Sequence, residues 1–387
     1  MCTRSYTSAT LTARCPMAIK LRQLTLALLL APLAACAKPS RAQLEFSLGT
    51  VCAVNLYESG SSQMYSRIFS RVREIDRTMT AHEGEFQEMI GGGGSYDSDS
   101  PAAAAYQGAT GALVSGVAAI NRQAGIGPAR VRPDLIEVLE KALRYAELSG
   151  GAFDPTVGPL VKLWGIGTDS QRIPGGDEIA EALALVDWRD LVIDREAGTA
   201  FLRREGMALD LGAIAKGYAA DEAARIAREG GARRAVFDFG GNIAVLGWRG
   251  RKRGEMLPWR IGIQNPLGER GAYIGVLPVH DTSVVTSGVY ERYFEDGGRR
   301  YHHILSTADG WPVENGLMSV TIVTESSIDA DALSTAVFAM GFERGKALID
   351  SIANAGAIFI FDDHSVRITD NLAGVFRQAD DEFAVWR

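Results

Sequence analysis

The stretch that most constrains this chain is residues 208–242, ALDLGAIAKGYAADEAARIAREGGARRAVFDFGGN. It opens on a short apolar run ending in Asp210 and turns at Gly212. A helical pattern covers about 214–228, and Gly230-Gly231 stops it. Residues 235–239 read as a strand, closed by a second glycine turn at Gly240-Gly241-Asn242. The predicted unit is strand, glycine turn, helix and strand, with Lys216 in the first helical turn. Unpaired N–H groups and the helix dipole make such a helix start attractive to anions, phosphates above all. On spacing alone, an ordinary strand–turn–helix with a surface lysine is the simpler reading; the stretch is neither a Walker loop nor a G-x-G-x-x-G fingerprint.

The flanking sequence alternates blocks of strands with helices. Residues 46–56 read as a strand around Leu48-Gly49-Thr50. Residues 62–80 read as a helix, with Met64, Ile68, Val72, Ile75 and Met79 near a 3.6-residue period. Residues 83–112 contain GGGG, an Asp/Ser run and AAAA, a low-complexity insertion with little to bury. Helical character returns at 114–122 and at 132–148, where Pro133 suits a first helical position. Residues 151–167, GAFDPTVGPLVKLWGIG, are dense in turn residues, and Phe153 and Trp164 there suit a core. A short helix at 177–185 and hairpin strands at 191–194 and 200–203 follow. Beyond the central unit, strands are expected at 259–264, 273–279, 283–287, 291–294, 299–305 and 319–324. Helices at 329–340 and 343–353 precede a hairpin at 357–361 and 366–369. Such runs of neighbouring strands imply an α+β fold with mixed, largely antiparallel sheets and flanking helices, rather than a doubly wound parallel sheet.

The first residues read as a targeting segment. Lys20 and Arg22 precede an apolar run at 24–33, too short for a stable bilayer span. It ends in Leu33-Ala34-Ala35-Cys36, which resembles a bacterial lipobox with Cys36 as the lipidated first mature residue. The alternative is ordinary signal cleavage after Ala37 or Ala42. Either reading exports the chain and leaves residues 44–387 as one domain carrying the 83–112 insertion. All four cysteines lie within the first 52 residues, which excludes a disulfide framework or a cysteine metal site in the body. A net charge of −7 argues against a nucleic-acid partner.

Two further places can carry chemistry. Asp331 and Thr335 lie four apart on a predicted helix, hence on one face, and both offer hard oxygen ligands of the kind Mg²⁺ takes. The competing reading has Asp331 capping that helix and Thr335 packing. His302 and His303 are adjacent on a predicted strand, so only one can face a site.

Six blocks in order, Leu48-Gly49-Thr50, GAFDPTVGPLVKLWGIG, ALDLGAIAKGYAAD, FGGN, VVTSGVYERYF with RRYHHIL, and SVTIVTESSIDADALSTAVFAMG, together resemble the FAD:protein FMN transferase (ApbE-type) family over about 44–341. The resemblance implies a fold similar to the T-fold and Mg²⁺-dependent transfer of FMN from FAD, the substrate, to a threonine or serine of an exported or membrane redox protein, with release of AMP. It further implies Asp331, Thr335 and the carbonyl of Ala213 as metal ligands, Lys216 near the FAD phosphates, and Asp210 near adenosine. Leu48, His82, Ala152, Phe153, Asp154 and Ile304 fall at cofactor contacts, and His303 at the general base for the acceptor hydroxyl. The lipid on Cys36 would hold the protein to the periplasmic face of a bacterial membrane, with a soluble periplasmic form as the alternative. Two further functions share these residues: an FAD pyrophosphatase giving FMN and AMP, and an exported FAD-binding protein without chemistry. This chain departs from the family at Leu305-Ser306-Thr307, where the usual Asp-Pro is absent, at Gly116, where a glutamate is usual, and at His82, where a larger aromatic is usual.

Overall fold

Nine strands lie side by side in one sheet in the order in which the chain makes them. A computed structural model describes residues 42–57, 60–81 and 116–386. The chain runs through β1 (Gln43–Ser47), β2 (Thr50–Leu56) and α1 (Ser62–Met79), then α2 (Val117–Arg122), α3 (Pro133–Ser149), α4 (Gly158–Trp164), α5 (Gly176–Leu183) and α6 (Ala215–Glu229). It returns to the sheet with β3 (Ala235–Phe239), β4 (Asn242–Leu246), β5 (Thr282–Gly288) and β6 (Leu317–Thr324). Helices α7 (Ser327–Met340) and α8 (Phe342–Asp350) precede β7 (Gly356–Phe361), β8 (Ser365–Ile368) and β9 (Ala384–Trp386). All neighbours pair antiparallel except β8 with β9. The mixed, largely antiparallel α+β expectation therefore holds.

Three layers result. One face of the sheet packs under α1, α6 and α7 through Val54, Phe237, Phe239, Val320, Ile322 and Phe338. The other is covered by a hairpin, Trp259–Gln264 with Tyr273–Val279, through Ile263, Leu277, Val284, Ile358 and Phe376. The helices begin and end where their sequence dictates. Ser61 caps α1 by accepting from the Met64 N–H (3.1 Å). Pro133 opens α3, and Gly150 closes it in the left-handed region. Between helices, Arg71 of α1 pairs with Glu222 of α6 and Asp134 of α3, each at 2.8 Å. Burial alone would raise the Asp134 carboxyl, but Arg132 and Arg71 outweigh it and hold it below the usual range.

Several expectations need correction. The strand expected at 46–56 is a hairpin: Leu48 (φ 54°) and Gly49 (φ 67°) form a two-residue turn between β1 and β2. Both positive angles match the right-handed twist of the strands. The apolar run before Gly212 is no strand; it makes an isolated bridge, Ala208 with Val157, and the Asp210 N–H donates to the Pro155 carbonyl (2.9 Å). Residues 158–164 are helical despite Gly158 and Pro159, since both stand in the first turn, where an N–H is dispensable. Trp164 is core, its Nε1–H donating to the Gly310 carbonyl (2.8 Å). Residues 303–305 leave the strand at His302. Strand β4 went unread because it follows β3 directly through the glycine turn. Cys36, His82 and the 83–112 insertion lie outside the described residues.

Candidate functional site

The turns at one end of the sheet enclose a cleft of about 1170 Å³. That exceeds the usual few hundred to 1,000 Å³ of a small-ligand pocket and suits a long, two-ended ligand. Leu48, Ala152, Phe153, Asp154, Asp210, Ala213, Lys216, His303, Ile304, Asp331 and Thr335 all line it. Every described residue to which the resemblance assigns a role thus lines one cavity.

At its centre, α6 and α7 cross. A Cβ added at Gly217 would lie 2.3 Å from the Ser327 carbonyl oxygen, so only glycine lets the two helices meet there. Asp221 of α6 caps α7, accepting from the Ser327 N–H (2.8 Å) and the Ile328 N–H (2.9 Å). This crossing sets Asp331 against the start of α6. The Gly217 N–H, which a regular helix would direct four residues back to Ala213, donates instead to Asp331 Oδ2 (2.8 Å). The Ala213 carbonyl is left without a backbone hydrogen bond among the described residues. Lys216 Nζ lies 3.4 Å from Asp331 Oδ1 and donates to the Gly212 carbonyl (2.9 Å).

Thr335 stands one helical turn beyond Asp331, its hydroxyl 3.2 Å from Ser287 Oγ of β5. Ser287 also meets Ser334 Oγ at 2.8 Å. One buried carboxylate, one hydroxyl and one freed carbonyl form an all-oxygen donor set that fits Mg²⁺, with water and phosphate oxygens completing its shell. Among the described residues no cluster of three or more histidine, cysteine or acidic side chains offers a different metal site.

His303 lines the same cleft, on the loop after the Arg299–His302 strand. Its Nδ1 lies 3.2 Å from the Arg292 carbonyl, an acceptor only, so Nδ1 carries the proton and Nε2 keeps the lone pair. Although solvent reaches the ring, desolvation between the cleft walls and then the Arg292 charge push its imidazolium well down, to about 3. The ring is therefore neutral at physiological pH. His302 points the other way, buried, its Nε2 2.9 Å from the Val313 carbonyl, and is structural.

The turn lacking Asp-Pro still closes: the Ser306 N–H donates to the Trp311 carbonyl (2.7 Å), and the Thr307 hydroxyl to the Gly151 carbonyl (2.7 Å). Thr307 thereby ties the histidine loop to Ala152-Phe153-Asp154. Asp154 braces that loop rather than offering a free carboxylate. Its Oδ1 accepts from the Thr156 N–H (2.7 Å) and hydroxyl (2.7 Å), and its Oδ2 from the Trp188 N–H (2.9 Å). Asp210 Oδ1 accepts from the Gly212 N–H (2.8 Å) and shapes the glycine turn.

Sequence reasoning missed Ser287, Asn242 and Glu291. Asn242 is 1% exposed, and its Nδ2 has no partner among the described residues although it borders the cleft. Its place closing the Gly-Gly turn was the one available signal. Glu291 also lines the cleft; burial raises its carboxyl against the pull of Lys216, Arg292 and Arg270.

The chain is similar to several known proteins. The profile of the ApbE family matches residues 110–359. The chain is 37% identical over 352 residues to the FAD:protein FMN transferase of Treponema pallidum (strain Nichols), covering 89% of this chain and 90% of that one. It is 36% identical over 313 residues to the FAD:protein FMN transferase of Klebsiella pneumoniae (strain 342), covering 81% and 86%. The crystal structure of the ApbE protein of Thermotoga maritima matches with a TM-score of 0.71 at 28% identity, over 88% of this chain and all of that one.

Proposed function

The chain belongs to the ApbE family and is a flavin transferase, and we propose that it moves FMN from FAD to a threonine or serine hydroxyl of an exported or membrane redox protein, with Mg²⁺ bound and AMP released. One observation carries this reading: Asp331, Thr335, the freed Ala213 carbonyl and Lys216 share one cleft with a neutral His303.

In this reading FAD lies along the cleft with its pyrophosphate at the start of α6. Lys216 donates to the phosphate oxygens, and the Asn242 Nδ2 is a further donor held ready. Leu48, Phe153 and Ile304 supply apolar wall to the ring systems. The acceptor hydroxyl oxygen forms a bond to the FMN phosphorus as the bond from that phosphorus to the AMP oxygen breaks. The hydroxyl proton passes to His303 Nε2, and the Arg292 carbonyl keeps the ring in the required tautomer. Asp331, Thr335 and the Ala213 carbonyl would hold Mg²⁺, which supplies charge stabilisation on the pyrophosphate oxygens. The lipobox-like stretch at 33–36 supports export and attachment through Cys36.

The test is a single-turnover incubation with FAD, Mg²⁺ and a tagged acceptor. The expected result is AMP in equal amount to flavin fixed on the acceptor. AMP with free FMN, indifferent to acceptor, would make the protein an FAD pyrophosphatase. Bound but uncleaved FAD would make it a carrier.

A further inference from the structure

The sheet has a second end, opposite the turns that enclose the cleft. In β1, Gln43 is in register with Val54 of β2, which pairs with Phe237 of β3, while Leu56, Ala235 and Leu246 form the last row. The start of β1 and the exit of β4 therefore share this end. From β4 the chain runs through Gly247 and Trp248 into a small hairpin, Gly250–Lys252 with Glu255–Leu257.

That hairpin is cationic in a chain of net charge −7. Arg249, Arg251, Lys252 and Arg253 are exposed. Among the described residues none of the four forms a salt bridge. Glu255 stands opposite Lys252, and Asp281, at the end of the neighbouring connection, is engaged by the Gly247 N–H (2.7 Å) and lies 3.4 Å from His280 Nδ1. Arg251 pairs across the hairpin with Met256, so a cation and an apolar side chain, 44% exposed, share one face. Beside them Trp248 stacks on His280, with ring centroids 3.8 Å apart.

We propose that this end of the molecule docks on the surface of a bilayer containing anionic lipid, with Arg249, Arg251, Lys252 and Arg253 on the headgroups and Met256 at their boundary with the acyl chains. Clustered cations next to an apolar side chain are the composition of an interfacial contact. The tether agrees. The chain preceding Gln43 enters the body at this same end, and Cys36 stands seven residues upstream of it, at most about 25 Å away when extended. Docked this way, the cleft faces away from the bilayer, towards acceptors.

The surface does not depend on lipidation of Cys36, so it is tested without it, on residues 40–387, which form one compact unit from Ser40 to Arg387. Flotation with phosphatidylglycerol vesicles is compared with phosphatidylcholine vesicles at low and high salt. Binding is expected to phosphatidylglycerol only, weakening with salt. The triple variant Arg251→Ser, Lys252→Ser, Arg253→Asn should lower partitioning about a hundredfold, at roughly fivefold for each cation, with flavin transfer unchanged. Absence of vesicle binding, equal binding to phosphatidylcholine, undiminished binding of the triple variant, or binding to double-stranded DNA in place of vesicles would each overturn the proposal. Membrane attachment of the full chain with Cys36→Ser reports on the lipid separately.

Discussion

Replacing Gly217 by alanine tests whether the helix crossing positions the site. The added Cβ would meet the Ser327 carbonyl oxygen at 2.3 Å and Ile328 Cα at 2.6 Å, both backbone atoms that cannot swing aside. Ordinary contact begins near 3.4 Å, so α6 and α7 must part by about 1 Å. The 2.8 Å bond from the Gly217 N–H to Asp331 Oδ2 would then stretch beyond hydrogen-bond range. Overpacking costs about 1–3 kcal/mol, and the gain in helix propensity returns about 1 kcal/mol, so the fold should survive. Chemistry is far more sensitive, since a misplacement of ~1 Å can cost about a hundredfold in rate. Flavin transfer followed against Mg²⁺ concentration should therefore fall about a hundredfold with a raised half-saturation, while the melting temperature drops by a few degrees. Gly176→Ala, where nothing lies within 4 Å, is the control and should behave as wild type. Wild-type transfer and wild-type Mg²⁺ dependence in Gly217→Ala would refute the positioning argument.

Three further outcomes follow from the same structure. His303→Gln should slow transfer to an acceptor by about 10²–10⁴-fold with FAD affinity, read by fluorescence quenching, little changed; loss of both would make the residue structural. Arg71→Met should lower stability by about 1 kcal/mol, because Asp134 and Glu222 lose one partner each and keep Arg132 and Arg225. Because the native Asp134 carboxyl is held low, its stabilisation is present above the usual carboxylate range and lost as pH falls through the native value. The melting-temperature gap between wild type and Arg71→Met should accordingly narrow in acid, and a constant gap would contradict the pairing. Cys52 is fully buried, and desolvation, then Asp76, Glu45 and Asp238, push its thiol up to about 12. Residues 40–387 should thus resist iodoacetamide at pH 8 until unfolded, as read by intact mass.

How much of this was legible in the sequence depends on the physical cause of each feature. The strands Trp259–Gln264 and Tyr273–Val279 stand as predicted, because alternation and flanking turn residues set them locally. Helix α3 was equally plain from Pro133 and Gly150. Leu48 was not, because nothing in a leucine announces a positive φ; the hairpin imposes it at a cost of about 1–2 kcal/mol. Helix α4 was hidden by residues that usually break helices. The site residues were recognisable as types in an order, but their meeting depends on long-range packing: Gly217 and Asp331 are 114 positions apart. Ser287 carries no signal of its own, and Asn242 only its place after two glycines, since a serine in a strand and an asparagine in a turn have ordinary local uses. The double duty of the Gly217 N–H, which frees the Ala213 carbonyl, is visible only in three dimensions.

The most direct test of the central claim compares wild type with Asp331→Ala, both saturated with FAD, as Mg²⁺ is added in the presence of a tagged acceptor, with in-gel flavin fluorescence and AMP measured together. The structure predicts that both signals rise with Mg²⁺ in the wild type and stay at background in Asp331→Ala, whose melting temperature and FAD binding remain close to normal. Acceptor fluorescence that rises equally in the two proteins would contradict the account.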